Sequence, residues 1–369
     1  MKEQKICCSL NFAPHYREEI FLVMEKELCC DFYFGTDTFG EIKKADLSRF
    51  QHKIQELPFV HIFKNFYLLK GQLKLAFASY SHYIITGQPY NISAWLLLIF
   101  NKIQGKQTYI WNHGWYGSEG FLKKVLKKIQ FKLSAGYLLY GTYAKELMIQ
   151  EGFDAKKLHV IYNSLDYTRQ LDIRNQLKKT HIYKEKFNNT YPNLLFIGRL
   201  TKVKKLDMLL KAMQKSHDKG LNFNFIFIGE GTEKDLLKNL VAKYDLEQRV
   251  WFYGASYDEK VIGELLYNAD LCVAPGNIGL TAIHSLMFGT PAITHSNFVN
   301  QMPEFEAIQE GKTGGFFKEN DIDSLKERIE KWIEDHPKKS VNVIENCHGI
   351  IDTYYNPAYQ LKVIKEVLA

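Results

Sequence analysis

The sequence predicts an α/β protein built from two domains, each a parallel sheet covered by helices on both faces. Three observations predict it. A chain of 369 residues is too long for one ordinary core but comfortable for two domains of roughly 150 to 180 residues each. Short β-branched and aromatic runs recur between longer segments of helical periodicity, the pattern of strands joined by crossover helices. These runs fall into two groups, separated by a polar, lysine-rich segment at 172–191 with little apolar periodicity.

In the first group the strand candidates are 5–12, 28–35, 82–87, 107–111, 136–140 and 158–162, several of them ending in Gly, Asn or Thr. In the second they are 193–197, 223–228, 250–253, 271–274 and 291–294, each followed by loop residues and a helix-like stretch. The expected organisation is a first domain over 1–171, a linker over 172–191 and a second domain over 192–349. A C-terminal helix at about 350–369 is expected to pack back on the first domain. Both domains are Rossmann-like, and ligands of such open sheets bind outside the carboxyl ends of the strands. Two of them facing across a cleft would surround one site with loops, so function is sought in the loops that follow strands. No fixed-period repeat or low-complexity tract is visible.

Hydrophobic residues at 46% and charged residues at 24% are the usage of a chain that buries sizeable cores, which argues against disorder and fibrous repeats. A formal charge of +7 suits a phosphate-bearing partner, whether nucleotide, nucleic acid or anionic membrane, and excludes none of them. Cys7, Cys8, Cys29, Cys30, Cys272 and Cys347 lack zinc-ligand or secreted-framework spacing and read as reduced packing residues. The opening MKEQKICCSLNFAP has no apolar stretch of signal-peptide length, and the run at 94–100 falls far short of the ~20 residues of a spanning helix. A cytoplasmic protein is expected.

The most informative stretch is NLLFIGRLTKVKKLDMLLKAM, 193–213. It runs from a buried-type strand through a basic loop into a helix with Leu206, Leu209, Leu210 and Met213 on one face. Arg199 and Lys204 stand beside the helix start, where unpaired N–H groups favour anions. Taken alone they read equally as holders of a pyrophosphate or as a solvated basic loop. Their neighbours decide: this segment resembles the donor-phosphate segment of glycosyltransferase family 4, in which an Arg and a Lys five residues later bind the diphosphate. Gly198 ends the strand before them. FIFIGEGTEKDLL, 225–237, resembles the family's next strand and glycine turn, with Gly229 and Gly231 allowing a tight bend. VWFYGASYDEKVIGELLYNAD, 250–270, resembles the strand, base-binding loop and helix that follow, which implies that the loop from Gly254 and Ala255 to Tyr257 meets the nucleobase.

The family's signature is matched by LCVAPGNIGLTAIHSLMFGTPAIT, with Gly279, Leu280, Gly289 and Pro291 in register. One departure is serious. The family usually carries two glutamates at positions that here are Gly276 and His284, so both carboxylates are missing. The resemblance implies that the second contacts the donor ribose and the first lies near the sugar. His284 is expected to take over a hydroxyl contact through a ring nitrogen, against the alternative of a histidine satisfied within its helix. Gly279, Leu280 and Thr281 precede a helix at about 282–288, so their N–H groups are expected to cradle the phosphates regardless.

On the other domain, TYIWNHGWYGSEG sets Asn112 and His113 directly after a strand. The resemblance implies that His113 contacts the transferred sugar and helps stabilise the leaving group; a structural loop histidine is the alternative. The loop NFAPHYR lacks the family's glycines, which makes His15, Tyr16 and Arg17 candidate acceptor or phosphate contacts. The segment 141–166 resembles the end of the family's N-terminal domain, with Asn163 and Asp166 near its usual NG.D motif. FLKKVLKKIQFKL, 121–133, spaces Leu122, Val125, Leu126, Ile129 and Leu133 on one helical face with Lys123, Lys124, Lys127, Lys128 and Lys132 largely opposite. That pattern suits an anionic membrane surface, and equally a helix covering a sheet.

The resemblance implies the two-domain GT-B fold and a glycosyltransferase moving a hexosyl or related group from a nucleotide-diphosphate sugar to a glycan or lipid-linked acceptor, with retention of configuration. It further implies no metal and no cofactor: Arg199, Lys204 and the loop at 279–281 would stabilise the charge on the departing diphosphate. The rivals are a non-catalytic nucleotide-sugar or carbohydrate binding protein, motivated by the missing glutamates, and a nucleotide-sugar epimerase, for which the first strand lacks GxGxxG. A nucleic-acid reader fits the charge but no recognition motif, so nucleic acid is not an expected partner.

Overall fold

A computed structural model describes residues 5–37, 42–217 and 222–369. The chain forms two compact units, one of residues 1–166 with 354–369 and one of residues 167–353.

The first unit runs β1 (Ile6–Leu10), α1 (Glu18–Leu28), β2 (Cys30–Gly35), β3 (Ile54–Leu57), β4 (Phe59–Phe63), β5 (Phe66–Leu69), β6 (His82–Thr86), α2 (Ile92–Ile103), β7 (Gln107–Asn112), α3 (Phe121–Leu133), β8 (Gly136–Leu139), α4 (Thr142–Gln150) and β9 (Leu158–Val160). Its seven-stranded sheet has the order β3-β2-β1-β6-β7-β8-β9 and is parallel throughout. The central strands are buried on both faces, as a parallel sheet under two helical layers requires: ICCSL of β1 is buried at every position. Cys7, Cys8 and Cys30 pack within these strands and Cys272 and Cys347 in the second unit; Cys29 is the exception to the packing expectation, exposed in the left-handed residue that ends α1. The antiparallel pair β4–β5 stands apart from the main sheet.

The second unit runs α5 (Tyr167–Arg174), α6 (Ile182–Phe187), β10 (Asn193–Ile197), α7 (Leu206–His217), β11 (Asn224–Ile228), α8 (Lys234–Lys243), β12 (Val250–Gly254), α9 (Glu259–Asn268), β13 (Leu271–Ala274), α10 (Thr281–Met287), β14 (Ala292–His295), β15 (Gly314–Phe317), α11 (Ile322–Asp335) and α12 (Val341–Tyr354). The sheet order β12-β11-β10-β13-β14-β15, all parallel, reverses direction between β10 and β13. That reversal leaves a crevice at the carboxyl ends of these two strands, since their crossover helices depart to opposite faces. The chain then returns to the first unit as α13 (Pro357–Leu368), tied there by Ser164 Oγ to Gln360 (2.7 Å), Tyr109 Oη to Val367 O (2.8 Å) and Lys365 to Glu27 (2.8 Å).

The segment 172–191, expected as a linker, is part of the second unit and carries the end of α5 and all of α6. Its lysines are solvated, and one aromatic residue does the anchoring: Tyr183 is buried and donates to Leu265 O at 2.6 Å. Among the described residues no helix is long and apolar enough to cross a membrane.

Candidate functional site

The crevice between β10 and β13 is lined by loops that grip one another. After β10, Gly198 N donates to Ile228 O (3.0 Å) and Leu200 N to Glu230 O (2.9 Å), which lays the loop against the turn that follows β11. The contact demands glycine: a Cβ on Gly229 would sit 2.0 Å from Gly198 O, and one on Gly231 would sit 2.3 Å from Leu200 O, both at positive φ. Gly229 N also donates to Gly254 O (2.8 Å), so the ends of β10, β11 and β12 form one platform. Ala255 continues from Gly254 into an exposed loop.

Two bonds bring the β13 loop onto the β10 loop. Lys204 Nζ donates to Asn277 O (2.7 Å) and Asn277 Oδ1 (2.9 Å), and Thr281 Oγ1 donates to Ile197 O (2.7 Å). The β13 loop is held from behind, where Gln301 accepts from Ile278 N (3.0 Å) and donates to Thr294 Oγ1 (2.8 Å). Gly279, in a left-handed conformation, and Leu280 lead into α10 at Thr281. Lys204, Gly279, Leu280 and Thr281 thus meet at one crevice, with Arg199 near enough for its charge to act on Lys204. Burial, then the Arg199 charge, lowers Lys204 to about 8, with Glu304 pulling the other way. Burial beside a second cation makes Lys204 a group whose charge a doubly charged anion would stabilise.

The two departures from the family signature have distinct physical forms. Gly276 N donates to Lys204 O (2.9 Å), and a Cβ at this position would lie 2.0 Å from Val203 O. The loop has closed onto the lysine's own backbone and leaves no room for a side chain. His284 has one ring nitrogen engaged: its Nε2 bonds Glu259 Oε2 at 3.0 Å, and Gln170 Nε2 donates to the same oxygen at 3.0 Å. Burial pulls Glu259 up, but His284 and Gln170 outweigh it and hold the carboxyl below its ordinary value. Neither Glu259 nor Gln170 belongs to the expected site residues. What could have pointed to Glu259 is its place as the first helical residue after the β12 loop, behind the Asp258 cap that accepts from Lys260 N (2.9 Å).

In the first unit, Asn112 closes the turn after β7: its Oδ1 accepts from Gly114 N (2.8 Å), and Gly114 is left-handed. The following loop is pinned by a buried ion pair, Lys127 to Glu119 (2.6 Å). Lys127 also donates to Gly114 O (2.6 Å), and Glu119 accepts from Tyr116 N (2.8 Å). His113 rides on this loop with its ring 4.8 Å from that of Tyr140, and its Nδ1 is buried without a partner among the described residues. Burial, then the charges of Arg17 and Lys127, lowers His113 to about 4, so the ring is neutral at pH 7. The Arg17 guanidinium lies over the same Tyr140 ring, 4.7 Å from its centre. His15 is exposed, with Nδ1 3.1 Å from Lys43 O, and Tyr16 lies edge-on to it at 5.6 Å.

Lys127 corrects the expected polarity of α3. The lysine points inward, while Phe121, Leu122, Val125 and Ile129 are exposed at 83%, 71%, 38% and 44%. Glu119, just before α3 and eight residues before Lys127, supplies the buried carboxylate that holds this lysine inward, and the apolar row faces outward.

Residues 178–348 match the family model described as glycosyl transferases group 1. The chain is 28% identical over 227 residues to glycogen synthase 2 of Nitrosococcus oceani, a match covering 52% of this chain and 45% of that one. It is 31% identical over 144 residues to an O-antigen biosynthesis glycosyltransferase of Escherichia coli, covering 37% of each. The matches span less than half the length of either relative. Among solved structures, Anabaena HepE in complex with UDP superposes with a TM-score of 0.72 at 16% identity over 99% of both chains, which establishes the GT-B architecture of two Rossmann-like domains.

Proposed function

We propose, from the membership of residues 178–348 in the group 1 glycosyltransferases, that this protein transfers a hexosyl or related group from a nucleotide-diphosphate sugar to a glycan or lipid-linked saccharide. The observation that carries the reading is the meeting of two cations and a glycine loop at the sheet's reversal, fixed by the Lys204–Asn277 and Thr281–Ile197 bonds. Donors placed where charge develops on a leaving group lower the barrier without a metal. Arg199 and Lys204 would meet the diphosphate, with the amides at 279–281 alongside, and Gly254 and Ala255 would lie by the base. His113, Asn112, His15, Tyr16 and Arg17 belong to the sugar and acceptor side of the reaction. Retention of configuration and a place in surface polysaccharide or glycoconjugate assembly complete the proposal, the latter supported by the O-antigen name of a relative. The exposed apolar row and lysines of α3 support peripheral attachment to an anionic, cytoplasmic membrane face.

A second reading, a non-catalytic nucleotide-sugar binding protein, is favoured by the closed loop at Gly276, which cannot admit a carboxylate. Thermal-shift screening with UDP, GDP, ADP and CMP, followed by turnover with the matching sugars in EDTA, separates the two. The enzyme reading expects a diphosphate to stabilise the protein, Arg199→Ala and Lys204→Ala to abolish that shift, and transfer to persist in EDTA. Stabilisation without transfer to any acceptor supports the binding protein; no response to any nucleotide overturns both.

A further inference from the structure

Glu259 is a carboxylate built into unit two with its donors already arranged and one oxygen to spare. Both donors, His284 Nε2 and Gln170 Nε2, end on Oε2, and no described residue bonds Oε1. The side chain keeps 19% of its surface exposed and that of His284 15%, so the pair is neither core nor open surface. Three elements cooperate to place it: α9 carries Glu259, α10 carries His284 and α5 carries Gln170.

Its position relative to the phosphate crevice follows from helix geometry. Thr281, whose hydroxyl ties α10 to the end of β10, and His284 lie three residues apart, on one face of the helix and about 4.5 Å along its axis. Glu259 bonds the outer end of the His284 ring. The carboxylate therefore stands one step beyond the phosphate residues, at the end of the loop that follows β12 after Gly254. In a nucleoside diphosphate the group between phosphates and base is the ribose, and its free 2′ and 3′ hydroxyls are donors in search of an acceptor. An ionised carboxylate offers acceptor sites only, and two neighbouring hydroxyls match it.

We propose that Glu259, oriented by His284 and Gln170, accepts the ribose hydroxyls of the donor nucleotide, which rests on the diphosphate reading above. His284 is then a positioning residue, and the carboxylate missing from its own position is supplied from a different helix. A carboxylate held on one oxygen by two side chains is preorganised, so the bound hydroxyls cost it little reordering.

The test is calorimetric titration of the full chain with UDP and GDP and with their 2′-deoxy and 3′-deoxy forms. Wild type should prefer the ribose form of its nucleotide by about tenfold, the range of a hydrogen bond to a charged group. Glu259→Gln should bind that nucleotide about tenfold more weakly and prefer ribose by less than about twofold, because the lost acceptor no longer reads the sugar. His284→Ala should reduce the preference and His284→Gln, which can still donate to Glu259, should restore it; a purely structural histidine would not show that rescue. Wild-type preference persisting in both Glu259→Gln and Glu259→Asp overturns the proposal. Arg199→Ala, which should weaken ribose and deoxy forms alike, keeps the two questions apart: its loss with an intact Glu259→Gln preference leaves the diphosphate reading standing and removes only this one. Binding of no diphosphate by wild type removes both.

Discussion

Lys204 is the residue where the site's electrostatics become measurable. Its ammonium is half-buried, bonded to Asn277 and close to Arg199, and these surroundings lower it to about 8. In the free protein it is charged below that pH and neutral above it, whereas a bound diphosphate would hold it charged. Binding must then take up a proton as pH rises. The affinity for a nucleoside diphosphate should fall by about tenfold between pH 7 and pH 9 in titration calorimetry, the consequence of a base that titrates near 8. Buffers of different ionisation heat should report that proton uptake near pH 9. Lys204→Arg, always charged, should flatten the profile even if it binds more weakly throughout. A wild-type affinity constant across this range would remove Lys204 from the phosphate contacts.

At the scale of elements, α3 shows how a single buried pair redirects a helix. Its sequence separates lysines from apolar residues, but Glu119 draws Lys127 inside, and Phe121, Val125 and Ile129 form an exposed row along i, i+4 and i+8 with Leu122 beside it. Lys124 and Lys128 are partly neutralised, since both face Glu151 at 2.7 and 3.3 Å. Lys123 and Lys132 are exposed, which makes them the lysines to change. Sedimentation with vesicles containing phosphatidylserine should bring the protein down. Replacing Lys123 and Lys132 with Gln should cut partitioning by about thirtyfold, at ~1 kcal/mol for each lysine at an anionic surface. Leu122→Ser with Val125→Ser should weaken binding even where salt has screened the charges. No sedimentation by wild type, or no effect of the lysine changes, would sink membrane attachment through α3. The same element shows where sequence reading stops. Helical periodicity located 121–133, and continuous apolar runs located β10 and β13, because buried parallel strands need no partner information. The inward turn of Lys127 depended on a carboxylate eight residues earlier, and β15, with GGFF and Gly315 pressed beneath Arg328, has no strand-like composition at its start. In the site, Arg199 and Lys204 were singled out by the likeness of 193–213 to a donor-phosphate segment, because their place after a strand alone fits a solvated basic loop equally well. Glu259 was not, since its meaning comes from His284, twenty-five positions away and on another helix.

At the scale of the whole molecule, the proposed reaction draws on residues of different charge state in the two units. The second unit concentrates cations at its reversal crevice. The first presents His113, a ring lowered to about 4 and therefore neutral through the physiological range. A neutral imidazole can donate or accept one hydrogen bond at a sugar hydroxyl or a leaving oxygen, but it brings no charge to the nucleotide. The two halves of the reaction should then separate in a mutant. His113→Ala should leave the dissociation constant for a nucleoside diphosphate within about twofold while lowering kcat by about a hundredfold, the scale of losing one aligned hydrogen-bond donor in a transition state. Arg199→Ala should do the reverse at the binding step. Because His113 carries no proton to lose between pH 5.5 and 7.5, the rate profile of wild type should be flat there, and His113→Asn should be lower but the same shape. An acidic limb near pH 6.5 that disappears in His113→Asn would mean that the ring works as an acid in a polar setting, in conflict with its buried Nδ1 and the neighbouring charges of Arg17 and Lys127. A His113→Ala protein with full turnover would leave the histidine a support for the Asn112–Gly114 turn and move the sugar contacts elsewhere in the first unit.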